Sequence, residues 1–417
     1  MSEIIRSLKG NAVIGQSGGP TAAINATLSG VIRGAEKNPE IDKIYGMKNG
    51  IEGLIEKRFV DLRNALPDEE SHLLLECTPA SALGSCRKKL PDPDSEDSKD
   101  KELYENIFRI FSEYNIRYFF YIGGNDSMDT VDKLSKYAGK LDYQINIMGV
   151  PKTIDNDLYL TDHTPGFGSA AKFVAATVQE IAADCAVYTV KAVTIIEIMG
   201  RDAGWLTLAA GLPRLNSGRC ADLIYLPERT FDYDEFIISV KRELEKKPNV
   251  VIAVSEGLTD KDGRYVGEGA QSGAVDIFGH KYLAGCAKQL EYLVKEKIGC
   301  KVRSIELSLP QRCAAHLLSK CDIEESVMIG AAAVDYAVKG ETGKVVIFSR
   351  DNSKEYSVSV ECVPVCYVAN KIKTVPESAV NSEGDNVTDE ILKEIEPLIQ
   401  GEIQVPVKNG LPIHFII

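Results

Sequence analysis

The segment Pro151-Lys152-Thr153-Ile154-Asp155-Asn156-Asp157 sets two carboxylates two positions apart, with a lysine three before the first. That set supplies a base for a hydroxyl proton and a cation for a group that gains negative charge as it reacts. Two glycine-pair turns accompany it, Gly15-Gln16-Ser17-Gly18-Gly19-Pro20-Thr21 and Gly123-Gly124-Asn125-Asp126-Ser127. Without Cβ atoms, Gly18 and Gly19 let backbone N–H groups approach an anion, and a helix N-terminus just beyond adds partial positive charge, which suits a phosphate. Asn125 and Asp126 offer oxygens to a magnesium ion or its water shell. The plain alternative is that Asp126 or Ser127 merely caps a helix. Farther on, Met199-Gly200-Arg201 carries a guanidinium past a glycine, and Ser255-Glu256-Gly257 ends an apolar run on a carboxylate. Arg303 and Arg312 flank another apolar stretch, and two guanidiniums suit a phosphate monoester. Each of these alone is ordinary surface charge; on successive strand ends they form a set.

The elements that must position them are legible as alternating patterns. Short β-rich apolar runs fall at residues 11–15, 118–123, 145–150, 193–198, 250–255 and 344–349, and helical stretches at 22–36, 127–137, 169–185, 231–247, 274–298 and 323–339. That alternation predicts an α/β fold with parallel sheets and crossover helices, whose ligands gather at the carboxyl ends of strands. A chain of 417 residues suggests two or three domains at about 150 residues each. Residues 91–102, almost wholly charged or turn-forming, read as a solvated loop. No tandem repeat or long linker interrupts the chain, so a shared interface between domains is expected.

Composition narrows the partners. A formal charge of −13 argues against nucleic acid, so any anionic substrate must be held by a local cluster of donors acting against the overall field. No apolar run approaches the roughly 18 residues of a membrane span, and Glu3, Arg6 and Lys9 interrupt any signal-like start. Ten cysteines without paired CxxC spacing read as reduced thiols, which leads to an expectation of a cytoplasmic protein.

In that order, SGGPTAAIN, GGNDS, PKTIDND, EIMGRDAGW and SEG resemble the phosphofructokinases, particularly their pyrophosphate-dependent branch, over roughly residues 11–348. The resemblance implies two doubly wound Rossmann-like α/β domains with parallel-rich sheets and an active site in the cleft between them. Residues 1–165, with about 311–370 crossing back, would hold the phosphoryl donor; 166–310 would hold fructose 6-phosphate, and 371–417 would be a C-terminal extension. It also implies reversible, Mg²⁺-dependent transfer from pyrophosphate to O1 of fructose 6-phosphate, in glycolysis or gluconeogenesis. On this likeness Asp155 is the general base, and Gly18 and Arg87 face the donor. Thr153, Ile154 and Asp157 border the sugar and the metal side. Met199, Gly200 and Arg201 match the sugar-phosphate segment, Glu256 the sugar hydroxyls and Arg312 the 6-phosphate. Arg303 matches an arginine that reaches a neighbouring subunit's site, which implies a homodimer or homotetramer.

The donor is a matter of size and charge. ATP-using relatives have glycines at the positions of Asp126 and Lys152, where an α-phosphate passes close to the backbone. The Asp126 carboxylate would repel that phosphate, while Lys152 offsets charge on the phosphoryl group in flight. Three departures stand out. Asn125 replaces an aspartate near magnesium, Leu309 replaces a His or Tyr beside the 6-phosphate, and Ala192 replaces a phosphate-binding arginine of ATP-using relatives. Two rival readings therefore remain: an ATP-dependent 6-phosphofructokinase, and a non-catalytic regulatory subunit that binds sugar phosphate. A nicotinamide-dependent dehydrogenase would need a GxGxxG turn that residues 15–21 do not supply.

Overall fold

The computed structural model describes residues 8–268, 285–351 and 355–417. The sequence reading of residues 1–7, and of 274–284 as the start of a helix, lies outside these. Eleven strands build the two main sheets: β1 (Gly10–Gln16), β2 (Ile41–Met47), β3 (Phe59–Asp61), β4 (Ile116–Gly123), β5 (Asn146–Pro151), β6 (Ala192–Ile198), β7 (Leu223–Tyr225), β8 (Asn249–Ser255), β9 (Lys301–Glu306), β10 (Lys344–Arg350) and β11 (Val358–Pro364). The first sheet runs β11-β10-β5-β4-β1-β2-β3, parallel except at its two antiparallel edges, and the second runs β7-β8-β6-β9, parallel throughout. The fold is therefore α/β with two parallel-rich, Rossmann-like sheets, as expected.

The central strands are buried along nearly their whole length, because helices cover both faces of each sheet. That is why they read as unbroken apolar runs, and all six expected runs are strands. Five strands escaped notice: β3 and β7 are only three residues long, and β2, β9 and β11 are mixed, with β9, of sequence Lys-Val-Arg-Ser-Ile-Glu, a partly exposed edge. One expectation is corrected. Residues 98–102 are not loop but the opening of the helix Ser98–Glu113, whose N-cap Asp97 accepts a hydrogen bond from the Lys99 amide at 2.8 Å. Its apolar face, with Tyr104, Ile107, Phe108, Ile110 and Phe111, begins only after the charged run ends. Residues 91–97 precede it as loop.

The helix that follows the first glycine turn, Ile24–Lys37, lies across the helix Lys320–Val338 at very close range. A Cβ on Gly30 would stand 2.1 Å from the Val327 carbonyl oxygen, and one on Gly330 would stand 2.3 Å from that of Thr27. The glycines are required by this backbone approach. The C-terminal segment also packs against the body. Ile391, Leu392 and Ile395 of the helix Asp389–Ile395 enter the core beside the helix Phe167–Cys185, and the Phe415 amide donates to Thr78 Oγ1 at 2.8 Å. All ten cysteines are free thiols, and no described helix is long and apolar enough to cross a membrane.

Gly30→Val should destabilise the protein by about 3 kcal/mol, because the obstructing atom is backbone and cannot rotate away. A thermal melt should show a loss of several degrees; an unchanged midpoint would mean that the two helices can separate at little cost.

Candidate active site

The carboxyl ends of β1, β4, β5, β6 and β8 converge on a cavity of about 490 Å³. Gly18 in the first turn has a left-handed φ of +76° that favours glycine. The Lys152 ammonium donates to the Gly19 carbonyl at 2.6 Å and lies 3.4 Å from where a Cβ on Gly18 would stand. Ser85 Oγ fixes the other side of the turn through the Gly18 carbonyl at 2.6 Å. The Lys152 amide in turn donates to the Gly123 carbonyl at 3.0 Å, so the three motif loops of the first sheet are joined through one residue.

In the second turn the N-cap of the helix Asn125–Ala138 is Gly124, and no side chain caps it. Asp126 and Ser127 are thus released from the capping role that was the plain alternative. Asn125 Nδ2 donates to the Lys371 carbonyl at 3.1 Å, whereas Asn125 Oδ1 and Ser127 Oγ are buried without a hydrogen-bond partner, and both residues line the cavity. Buried polar atoms left unpaired at a cavity wall are open to a ligand, an ion or a water. Asp126 pairs with Lys89 at 3.0 Å.

Thr153 Oγ1 accepts from the Asp155 amide at 3.1 Å and donates to Asp155 Oδ2 at 3.3 Å, which orients that carboxylate. Burial raises the Asp155 pKa; the Thr153 hydrogen bond opposes this and the charge of Asp202 adds to it. Burial also pushes Asp157 to about 7 and Glu256 to about 8, with Asp155 adding to both. Lys152 is drawn down to about 8 by burial, against the pull of Asp155. On the second sheet, Glu256 Oε1 accepts from the Gly200 amide at 3.3 Å, and Gly200 itself needs a φ of +132°. Gln311 Oε1 accepts from the Met199 amide at 3.1 Å, which ties the turn carrying Arg312 to the Met199–Arg201 segment.

Gly18, Arg87, Asn125, Asp126, Lys152, Thr153, Ile154, Asp155, Asp157, Met199, Arg201, Glu256 and Arg312 all line this one cavity. Gly200 stands behind it, bonded to Glu256. Arg312 lies against the first turn, with Nη1 3.2 Å from where a Cβ on Gly19 would be, so it stands between the donor loop and the sugar segment. Leu309 is 54% exposed and Arg303 is exposed on edge strand β9; neither lines the cleft of its own chain. Ala192 opens β6 at the end opposite the cleft. Sequence reasoning passed over Asp202, Lys89, Asn370 and Ile372, which also line the cavity. Asp202 and Lys89 adjoin noted residues; Asn370 and Ile372 belong to a stretch with no motif. Five carboxylates (Asp126, Asp155, Asp157, Asp202 and Glu256) face five cations (Arg87, Lys89, Lys152, Arg201 and Arg312) along these walls. Cations thus match carboxylates in number inside a chain of charge −13, and burial biases Asp157 and Glu256 toward their neutral forms, so the walls favour an anionic substrate.

A buried carboxylate, a desolvated ammonium and guanidiniums around glycine turns at strand ends are the groups that phosphoryl transfer on a doubly wound α/β scaffold requires. The chain belongs to the phosphofructokinase family, whose model, described as Phosphofructokinase, matches residues 11–337. It is 38% identical over 407 residues to the pyrophosphate--fructose 6-phosphate 1-phosphotransferase of Halomonas elongata, covering 96% of this chain and 94% of that one. With the protein of the same name from Xanthomonas campestris pv. campestris it shares 39% identity, covering 97% and 95%. The crystal structure of a pyrophosphate-dependent phosphofructokinase from Nitrosospira multiformis superposes with a TM-score of 0.85 at 36% identity, covering 97% of this chain and 95% of that one.

These environments predict the pH profile of phosphoryl transfer. With Asp155 as the base, kcat/KM should fall on the acid side at a pH above the ordinary aspartate range. With the Lys152 ammonium offsetting charge on the transferring group, an alkaline limb should appear with a midpoint near 8. In kcat that limb should move upward, since a bound polyanion stabilises the ammonium. A profile flat through this range in both parameters would remove Lys152 from the charge-stabilising role.

Proposed function

We propose that this protein transfers a phosphoryl group reversibly between pyrophosphate and O1 of fructose 6-phosphate. The observation that carries the donor assignment is the Lys152 ammonium seated under the Gly18–Gly19 turn, with the Asp126–Lys89 pair on the same side of the cavity. These side chains occupy the space that the rest of a nucleotide would need, and Asp126 presents negative charge toward it.

In this reading Asp155 takes the O1 proton as that oxygen attacks the near phosphorus, and the bond to the leaving phosphate breaks. Lys152 and Arg201 offset the charge that develops, and Arg87 steadies the remaining phosphate. Glu256 and the Met199–Gly200 backbone hold the sugar, Thr153, Ile154 and Asp157 border it, and Arg312 clamps its 6-phosphate. The unpaired Asn125 Oδ1, next to the Asp126 carboxylate, fits Mg²⁺ as a hard oxygen-ligated cation. When bound, Mg²⁺ neutralises and aligns phosphate oxygens. Arg303, exposed and outside its own cleft, fits the role of an arginine lent to a second copy's 6-phosphate, in a homodimer or homotetramer. Phosphorylated substrates and ten free thiols suit a cytoplasmic setting.

With fructose 6-phosphate and a coupled aldolase assay, pyrophosphate should support turnover and ATP should not; a clear preference for ATP would overturn the donor assignment. Inactivity with both donors, alongside calorimetric binding of fructose phosphates, would instead mark a regulatory subunit. Asp155→Ala should lose at least about 10²-fold in turnover, and near-wild-type kinetics would take that residue out of the base role. Replacing both obstructing residues, Asp126→Gly with Lys152→Gly, should lower pyrophosphate turnover and raise ATP turnover by about tenfold. No gain with ATP would place the discrimination elsewhere.

A further inference from the structure

We infer that Lys373, carried by the C-terminal segment, is a positioning residue that locks the loop bearing Asp155 and couples it to Trp205 on the sugar side of the cleft. This deepens the phosphoryl-transfer reading and rests on it. The Lys373 ammonium donates to Asn156 Oδ1 at 3.0 Å, to the Thr161 carbonyl at 3.2 Å and to the Asp162 carbonyl at 2.7 Å. All three of its protons are thereby used. Its backbone amide donates to the Asp157 carbonyl at 2.8 Å, and its own carbonyl accepts from Trp205 Nε1 at 2.9 Å. The ammonium also lies 4.9 Å from the centroid of the Trp205 ring, within cation–π range.

Asn156 sits between Asp155 and Asp157, is buried, and has a left-handed φ of +53°. Asparagine tolerates that conformation better than other side-chain-bearing residues, but a hydrogen bond to its side chain still fixes it there. Lys373 supplies the side-chain hydrogen bond that does so, and the direction of the neighbouring carboxylates follows from this backbone. The flanking residues extend the strap. Lys371 accepts from Asn125 Nδ2, Ile372 bridges to Leu158, and the Val375 amide donates to Glu228 Oε1 at 2.8 Å, the same oxygen that accepts from the Gly204 amide. One short stretch beyond residue 337 thus touches the Asn125, Asp155 and Trp205 loops together. Lys373 does not line the cavity, so its action on the chemistry passes through the loop.

Lys373→Met keeps the aliphatic stem and removes the donors. It should lower kcat in both directions about 10–100-fold while leaving KM for fructose 6-phosphate and pyrophosphate within about threefold, as expected for a misaimed base. Two readouts need no phosphoryl donor. Amide hydrogen exchange across residues 153–158 should accelerate at least about tenfold, and the emission of Trp205, the single tryptophan of the sequence, should shift. Asn156→Gly retains the positive φ but removes one acceptor; it should show a smaller fall in kcat, with no further loss when combined with Lys373→Met. A folded Lys373→Met with wild-type kcat, or with unchanged exchange, would overturn the inference. If that variant does not fold, Asn156→Gly with unchanged kcat and exchange overturns it. A wild-type chain inactive with pyrophosphate would remove the functional reading alone, because exchange and emission still judge the tie.

Discussion

The buried ammonium of Lys152 is the constraint around which the cleft is arranged. A lysine out of water is costly unless its protons and charge find partners. Here the Gly19 carbonyl accepts a hydrogen bond from the ammonium and Asp155 supplies nearby negative charge. Lys152 therefore ties together the first glycine turn through Gly19, the second through Gly123, and the Asp155 carboxylate. The same desolvation that draws Lys152 toward about 8 raises Asp155. One shared dry environment thus disfavours the charged form of both groups.

The rest of the scaffold serves that arrangement from outside. The glycine crossing of the helices Ile24–Lys37 and Lys320–Val338 holds the helix that follows the first turn. Behind the catalytic loop, His163 is buried between Asp162 and Glu325, each at 2.8 Å, and stacks on Phe348. Burial disfavours its charge, but the two carboxylates outweigh burial and raise its pKa. That cluster anchors the segment after Asp157 to the Lys320–Val338 helix and to β10, so the loop is held from the first sheet as well as by the C-terminal strap.

The places where sequence and structure part company share a cause. Residues 98–102 carry helix-compatible charges whose purpose is visible only in the buried face four residues on. Strand β9 is an edge and so never shows an apolar run. The segment around Ile372 has no motif, yet it touches loops from both sheets, because a contact between residues more than 200 positions apart leaves no trace in local periodicity. Arg312 was expected at the sugar phosphate alone; its guanidinium also lies against the donor turn, a position that follows from how the Leu309–Arg312 turn is tied to Met199 through Gln311.

Residue types and short spacings were enough to point to the chemistry: a carboxylate pair with a lysine, glycine turns after apolar strands, guanidiniums on later strand ends. Those features are local, and each strand-turn-helix unit is specified by its own burial pattern and backbone needs. The family, the α/β class and six of the strands were readable for the same reason. Only the tertiary structure decided which units face one another, that Asp126 and Ser127 are free of capping duty, that Asn125 Oδ1 and Ser127 Oγ stand unpaired at the wall, and that a C-terminal lysine holds the catalytic loop. Such relations depend on packing complementarity between distant segments, which the order of residues along the chain does not display.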